Sequence, residues 1–124
     1  MAKTTTHQRK IGNLGENIAA THLEKKGYQI LDRNYSSRYG ELDLVAKKGS
    51  YLVFVEVKTR TSNAFGMPEA SVTADKFERI CNTGLFWLQD HPEEPDDWRV
   101  DVIAIQLDQN HHIRDIHHFE NILL

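Results

Sequence analysis

The sequence predicts a single mixed domain of the α/β (α+β) class, in which helices flank a mixed central sheet. Two segments have apolar residues at helical spacing, several apolar runs have the length and composition of strands, and their order is α-β-β-β-α-β-β. The chain of 124 residues is about one domain long and can bury one core. We therefore expect one domain over residues 11–124, after a disordered polar stretch at 1–10.

Two segments have the three- and four-residue apolar spacing of an amphipathic helix. The first covers residues 11–26 and ends at Gly27, a residue type common after helix ends. The second follows Thr73 and Asp75, which are typical of a helix start. Its apolar positions are Phe77, Ile80, Cys81, Gly84, Leu85 and Leu88. Cys81 is the only cysteine, so it is expected to be a core residue and not part of a disulfide.

The other regular segments are rich in apolar and β-branched residues, and we interpret them as strands. They cover residues 28–35, 40–47, 51–59, 99–107 and 112–117. The segment 99–107 is largely apolar on both faces, which is typical of a strand inside a sheet. Residues 61–73, which connect the third strand to the second helix, are long enough to shape a site.

The charge of the chain is unevenly distributed. The net charge is −3, but residues 1–60 carry +5 and residues 61–124 carry −8. The overall sign argues against a protein that coats DNA, whereas the asymmetry is compatible with an anionic partner at one face or with an ordinary mixed surface. No apolar segment has the length of a signal peptide or a membrane span, so we expect a cytoplasmic protein.

The segment GELDLVAKKGSYLVFVEVKTR carries charged residues in strands that are otherwise apolar. A two-residue type II′ turn at Gly49-Ser50 fixes the register of the two strands. In this register Asp43 lies opposite Glu56, and Glu41 lies opposite Lys58. The charges therefore meet at one end of the hairpin.

Alternation along each strand predicts which residues share a face. In the first strand Asp43 and Val45 should point one way, and Leu42 and Leu44 the other. The second strand begins with apolar residues on both faces, so we expect it to be a central strand of the sheet. Its charged residues would then lie at the rim of a core.

Two carboxylates directly opposite each other destabilise a sheet unless a positive charge lies between them. A divalent cation that prefers oxygen ligands, Mg²⁺ or Mn²⁺, would meet this need at Asp43 and Glu56. Lys58, on the face of Glu56, could then balance a developing negative charge or orient a metal-bound water. The alternative is structural: the charges lie on a half-exposed strand, and Lys58 pairs with Glu41.

These residues resemble the signature of the PD-(D/E)xK nuclease superfamily, here Asp43 and then Glu56-Val57-Lys58. Leu42 stands where that superfamily has proline. Over nearly the whole chain the sequence is similar to the YraN-like family of uncharacterised bacterial proteins, related in fold to archaeal Holliday-junction resolvases. The shared motifs are G-x-x-G-E at 12–16, G-E-L-D-L at 40–44, V-F-V-E-V-K-T-R at 53–60 and R-V-D-V-I at 99–103. The resemblance implies a restriction-endonuclease-like fold with an α-β-β-β-α-β core.

The resemblance also implies roles for five residues. Asp43 and Glu56 would be metal ligands, with the Val57 carbonyl as a third ligand. Lys58 would be the catalytic lysine, and Glu16 an acid from the first helix. Glu16 falls at the edge of the apolar stripe of that helix, which is compatible with this role and equally with an ordinary solvated glutamate.

Two further cations are candidates for contacts with nucleic-acid phosphates. Arg60 shares the face of Glu56, and Lys76 opens the second helix, a place compatible with phosphate binding. Both are equally interpretable as surface charges, so they are secondary candidates.

Two other sets of polar residues are expected to be structural. Asp101 lies beside Arg99 in an apolar strand and should form a buried hydrogen bond or ion pair. The histidines of the last strand are expected to be solvated, because adjacent strand residues point to opposite faces and no cysteine accompanies them. They are His111, His112, His117 and His118.

The main hypothesis is a metal-dependent endonuclease that hydrolyses DNA, including branched or single-stranded DNA, with Mg²⁺ or Mn²⁺ as cofactor. A second hypothesis is a catalytically inactive nucleic-acid-binding or adaptor module on the same fold. The net negative charge favours the second, because tight phosphate binding depends on cations. A third is a protein-interaction module that uses the acidic face. A homodimer is compatible with an unpaired edge strand.

Overall fold

A computed structural model of the chain describes residues 6–61 and 72–123, with side chains from residue 9 onward. Its two helices and five strands follow the predicted order. They are α1 (Thr6–Lys25), β1 (Gln29–Ser37), β2 (Gly40–Lys48), β3 (Tyr51–Arg60), α2 (Ala74–Asp90), β4 (Trp98–Leu107) and β5 (Ile113–Phe119). Most of the predicted connection at 61–73 lies outside the described residues.

The five strands form one sheet in the order β1-β2-β3-β4-β5. β3 and β4 are parallel, whereas the other neighbouring pairs are antiparallel. The parallel pair requires a crossover, and α2 lies in that connection. This mixed sheet with two helices confirms the predicted fold class and is consistent with a restriction-endonuclease-like core.

Each face of the sheet has its own apolar cluster. Val53 and Val55 of β3 pack in a cluster with α1, whereas Leu52 and Phe54 pack in a cluster with α2. β3 is therefore a central strand that is covered on both sides, as its two apolar faces predict. No helix in the described part of the chain has the length and apolar character needed to cross a membrane.

The register of the β2–β3 hairpin is as predicted over five residue pairs, from Lys48–Tyr51 to Leu44–Val55. Gly49 has a φ of 61°, whereas Ser50 is not among the residues with positive φ. This combination agrees with a type II′ turn, which requires a positive φ only at its first central residue.

The structure differs from the predictions at two places in these elements. α1 begins at Thr6, so residues 6–10 belong to the helix, although the polar sequence predicts a disordered stretch there. The physical reason is that this segment contains Gln, Arg and Lys, which have a high helix propensity. Leu42 packs with Val45 in the cluster on the α2 face, so strict alternation fails between them. The exception falls at Asp43, where β2 turns away from β3.

The packing of α1 onto the sheet brings this helix close to the charged end of β3. Gly15 is buried, and a Cβ atom built on it would lie 2.8 Å from Cβ of Thr59. Gly12, one helical turn earlier, has no neighbouring heavy atom of the described chain within 4 Å of such a Cβ. Of these two glycines, Gly15 is therefore the one whose missing side chain lets α1 approach β3 next to Lys58.

This difference between two glycines of one helix is testable. Gly15→Ala should lower the free energy of unfolding by about 1–3 kcal/mol, because the added methyl group overpacks the contact with Thr59. Gly12→Ala should raise it by about 0.5–1 kcal/mol, because alanine has the higher helix propensity. Urea unfolding of both variants measures this, and equal effects would contradict the proposed packing of α1.

Candidate active site

A cleft opens where β2 and β3 part. In the described residues the β2–β3 ladder ends at Leu44–Val55, but β2 stays paired with β1 as far as Gly40 and β3 stays paired with β4 as far as Arg60. The cleft has a volume of about 700 Å³ and is lined by the start of β2, the end of β3 and the first turns of α2. Its lining residues are Gly40, Glu41, Asp43, Glu56, Thr73, Asp75, Lys76, Arg79 and Ile80.

Asp43 is fixed by the backbone of β3. Its Oδ2 atom accepts a hydrogen bond of 2.8 Å from the Val57 backbone N–H, a group that the separated β2 backbone no longer pairs. Burial and the nearby Glu56 raise the pKa of Asp43 to about 8, although the Val57 hydrogen bond opposes this shift. A cation beside the two carboxylates would favour their charged forms.

Glu56, the other predicted metal ligand, also lines the cleft and is 7% exposed. Its Oε1 atom lies 2.7 Å from Nζ of Lys76 and 3.5 Å from Nζ of Lys58. Burial and Lys76 lower the pKa of Lys58. Burial would also lower the pKa of Lys76, but hydrogen bonds with Glu56 and Lys58 raise it. Lys76 therefore neutralises Glu56, and Lys58 is the lysine that gives up its proton more readily.

Glu16, the predicted acid of α1, is close to the charges of the cleft. Its Oε1 atom is buried and has no hydrogen-bond partner among the described residues. The pKa of Glu16 is raised, mainly by burial and to a smaller extent by the charges of Glu41 and Glu56. A hydrogen bond with Asn34 and the charge of Arg33 oppose this rise. Glu16 is therefore near the acids of the cleft. A buried oxygen without a partner is costly, so this atom fits a position beside a cation or a bound water.

Asn34 is a site residue that the sequence reasoning missed. It has a left-handed φ of 54°, and it lies opposite Asp43, between the ladder pairs Arg33–Leu44 and Tyr35–Leu42. Its side chain hydrogen-bonds to Glu16. Asparagine is among the few residues that tolerate a left-handed backbone conformation. An asparagine inside a predicted strand was therefore the sequence feature that could have indicated an irregular backbone here.

The structure thus brings most of the predicted residues together. Asp43, Glu56 and Lys76 line the cleft, and Lys58 contacts Glu56. The predicted ladder pairs Asp43–Glu56 and Glu41–Lys58 do not form in the described strands, because the ladder ends one residue earlier. The expectation that the Val57 carbonyl is a ligand remains a prediction, since the described contact of Val57 is through its N–H.

Arg60 is separated from the main cleft. Together with Lys58 it lines a smaller cavity of about 210 Å³ over β4 and β5. Asp115 and His117 also line it, with 2.6 Å between His117 Nε2 and Asp115 Oδ2. Lys58 therefore lies between the acids of the cleft and this second, mixed-charge groove.

A second group of potential metal ligands lies on the other face of the sheet. Single ligand atoms of Asp101, His118 and Glu120 lie within 4.8 Å of one another. However, both carboxylate oxygens of Asp101 already accept hydrogen bonds from Arg99, at 3.0 and 3.2 Å. The Asn121 N–H also donates to Asp101, at 2.9 Å. The guanidinium group supplies the positive charge here, so this group is better explained as a structural network, as predicted for Asp101.

The prediction that the histidines are solvated is wrong for His118. Its side chain is 4% exposed, and its Nε2 lies 2.7 Å from Oδ2 of Asp101. Its Nδ1 lies 3.0 Å from Nζ of Lys26, which can only donate, so the ring accepts there and donates to Asp101. His118 pairs with Ile103, which places it on the face that α1 covers. The other three histidines, His111, His112 and His117, are exposed.

The sequence matches known proteins over most of its length. The model of the family described as "Uncharacterised protein family UPF0102" matches residues 15–105. A UPF0102 protein of Syntrophus aciditrophicus is 44% identical over 102 residues, which cover 82% of this chain and 80% of that protein. A UPF0102 protein of Geobacter metallireducens is 43% identical over 111 residues, which cover 86% of this chain and 91% of that protein. The matched segment includes Glu16, Asp43, Glu56, Lys58 and Lys76.

Because Asp43 is buried beside Glu56, we expect its charged form to lower the free energy of unfolding of the protein. Asp43→Asn keeps an oxygen for the Val57 N–H but removes the charge, so without divalent cations the variant should be about 1–3 kcal/mol more stable than the wild type. The raised pKa of Asp43 means that wild-type stability falls as the pH rises from about 4 to about 8. The advantage of the variant should therefore grow from about pH 5 to about pH 8.5.

Urea unfolding in EDTA at these two pH values measures the effect. Glu24→Gln, which changes an exposed acid of α1, is the control and should show no such gain. An Asp43→Asn protein that is less stable than the wild type at both pH values would contradict this description of the site.

Proposed function

This chain belongs to the uncharacterised protein family UPF0102, and we propose that it is a metal-dependent endonuclease that hydrolyses phosphodiester bonds in branched or structured DNA. The observation that carries this proposal is the cleft in which Asp43 and Glu56 lie beside Lys58 and Lys76. An acid of strongly raised pKa in a cleft, such as Asp43, is typical of functional sites.

The residues of the cleft fit a divalent cation. Asp43, Glu56 and Glu16 offer only oxygen donors, which suit Mg²⁺ or Mn²⁺. The Oε1 atom of Glu16, which has no hydrogen-bond partner within residues 6–61 and 72–123, supports this assignment, because a cation or its water would satisfy it. Asp43 and Glu56 would hold the ion, with the Val57 carbonyl as a third ligand. When bound, the cation would supply a Lewis acid and lower the pKa of water.

The side chains of the chain itself would do the remaining work. Lys58 would stabilise the negative charge that develops on the phosphate. Lys76 would hold the Glu56 carboxylate in place. Arg79 in the cleft and Arg60 in the neighbouring groove would hold phosphates of the substrate.

One observation favours a second candidate function. Lys76 Nζ lies 2.7 Å from Glu56 Oε1, so the charge of Glu56 is balanced without a metal ion. A nucleic-acid-binding or adaptor module without catalysis would retain the same fold and the same cleft. The two candidates differ in a direct way, because only the nuclease cuts DNA when a metal is supplied.

The test of the nuclease function is a cleavage panel of single-stranded, duplex, flap and four-way-junction DNA with Mg²⁺ or Mn²⁺. We expect cleavage of at least one branched DNA and no cleavage in EDTA. Lys58→Ala should lower the rate by about 100-fold or more, because it removes the cation that stabilises the reacting phosphate. Asp43→Asn and Glu56→Gln should abolish cleavage while the proteins stay folded.

Lys25→Ala provides the matched control, since Lys25 is an exposed lysine at the end of α1 and does not line the cleft. It should leave the rate unchanged. Cleavage that persists at the wild-type rate in Lys58→Ala, Asp43→Asn and Glu56→Gln would refute the nuclease mechanism. DNA binding without cleavage in the wild type would favour the adaptor.

A further inference from the structure

An aromatic surface is exposed at the tip of the β1–β2 hairpin. The Tyr39 ring, whose residue is 37% exposed, lies 5.4 Å from the ring of Phe86 in α2, at an interplanar angle of 34°. The guanidinium carbon of Arg38 lies 5.0 Å from the centre of the Tyr39 ring and 6.0 Å from that of Phe86. Two rings and one planar cation thus form a single surface, which we call the Arg38–Tyr39–Phe86 surface.

The hairpin tip that carries this surface is anchored on α2. The hydroxyl groups of Ser37 and Thr83 lie 2.9 Å apart, and the Tyr39 N–H donates to the Ser37 hydroxyl at 3.1 Å. Arg38 donates to the Tyr39 hydroxyl at 2.9 Å. The rings are therefore held in place before any ligand arrives, which lowers the entropic cost of binding.

The same hairpin tip borders the cleft. Gly40 and Glu41, which follow Tyr39 directly, line the cleft, as does Arg79 of α2. A Cβ atom built on Gly40 would lie 3.5 Å from Cβ of Arg79. A strand bound at the acids of the cleft would thus pass close to Tyr39, with Arg38 and Arg79 beside its phosphates.

The composition of this surface suits one kind of ligand. Aromatic rings and guanidinium planes stack on nucleobases, and each stacked base contributes about 1–3 kcal/mol to binding. The bases of a duplex are already stacked on one another and paired, so only an unpaired base can lie flat on the rings. Leu85, next to Phe86, is 47% exposed but has no ring, which makes it a natural comparison.

We propose that the Arg38–Tyr39–Phe86 surface binds an unpaired nucleobase of the DNA strand that enters the cleft. This inference rests on the proposed function for the identity of the ligand, and it extends that function by naming the substrate class: DNA with a single-stranded segment next to the scissile bond. Arg38 and Arg79 supply the charge complementarity to the phosphates of that segment.

The test is fluorescence anisotropy in EDTA at low salt, with one labelled DNA strand of mixed sequence, alone or annealed to its complement. Tyr39→Leu removes the ring and should weaken binding of the single strand by about 10-fold. Binding of the duplex should stay unchanged. Tyr39→Phe, which retains the ring but loses the hydroxyl that accepts from Arg38, should weaken binding of the single strand much less than Tyr39→Leu does. Leu85→Ala, which shortens an exposed apolar side chain that has no ring, should bind like the wild type.

Three results would overturn the inference: wild-type affinity of Tyr39→Leu for the single strand, an equal loss for strand and duplex, or no binding of the single strand by the wild type. A failure of this inference can be distinguished from a failure of the proposed nuclease function, because the anisotropy experiment measures binding alone, without metal and without cleavage. A wild type that binds the strand through Tyr39 but cuts no DNA would refute the nuclease and leave the stacking surface in place.

Discussion

The hydrogen bond from the Val57 N–H to the Asp43 carboxylate is the contact on which the site depends. It forms where the β2–β3 ladder ends, so a side chain takes over the backbone donor that the neighbouring strand would otherwise pair. Because the Asp43 side chain accepts this hydrogen bond, β2 can remain paired with β1 while β3 remains paired with β4. The cleft is the space between β2 and β3. Asn34, with its left-handed backbone opposite Asp43, accommodates the same change of direction on the other side of β2. The residues that open the sheet are therefore the residues that line the site or position its acids.

The charges of the site are balanced at a cost. Burial and mutual repulsion raise the pKa of Asp43, whereas Lys76 and Lys58 offset the charge of Glu56. A protein selected for stability alone would gain from neutral residues at these positions, since functional sites commonly trade stability for activity. The network of Asp101, Arg99 and His118 on the opposite face shows the contrast. There the acid is fully hydrogen-bonded, and its pKa is lowered by His118, Arg99 and Asn121 although burial alone would raise it.

Local sequence features predicted most of the fold and much of the site. The apolar spacing indicated both helices, the two-residue turn at Gly49 set the register of five pairs, and the charges at the ends of β2 and β3 pointed to the acids. The misses depend on contacts between residues that are distant in sequence. Alternation along β2 gave no sign of the break at Asp43, because the Val57 donor that causes it is on another strand. His118 is buried because α1 and Tyr28 cover its face of the sheet, and strand periodicity alone does not contain that information.

We propose that Asp43 and Glu56 hold a divalent cation, and calorimetric titration with Mn²⁺ tests this proposal most directly. We expect Mn²⁺ to bind to the wild type with release of protons, because the raised pKa of Asp43 leaves this group partly protonated before the ion arrives. Binding should disappear in Glu56→Gln and persist in Asp101→Asn, whose carboxylate belongs to the structural network on the other face. Mn²⁺ binding that survives in Glu56→Gln, or that is lost only in Asp101→Asn, would contradict the assignment of the site.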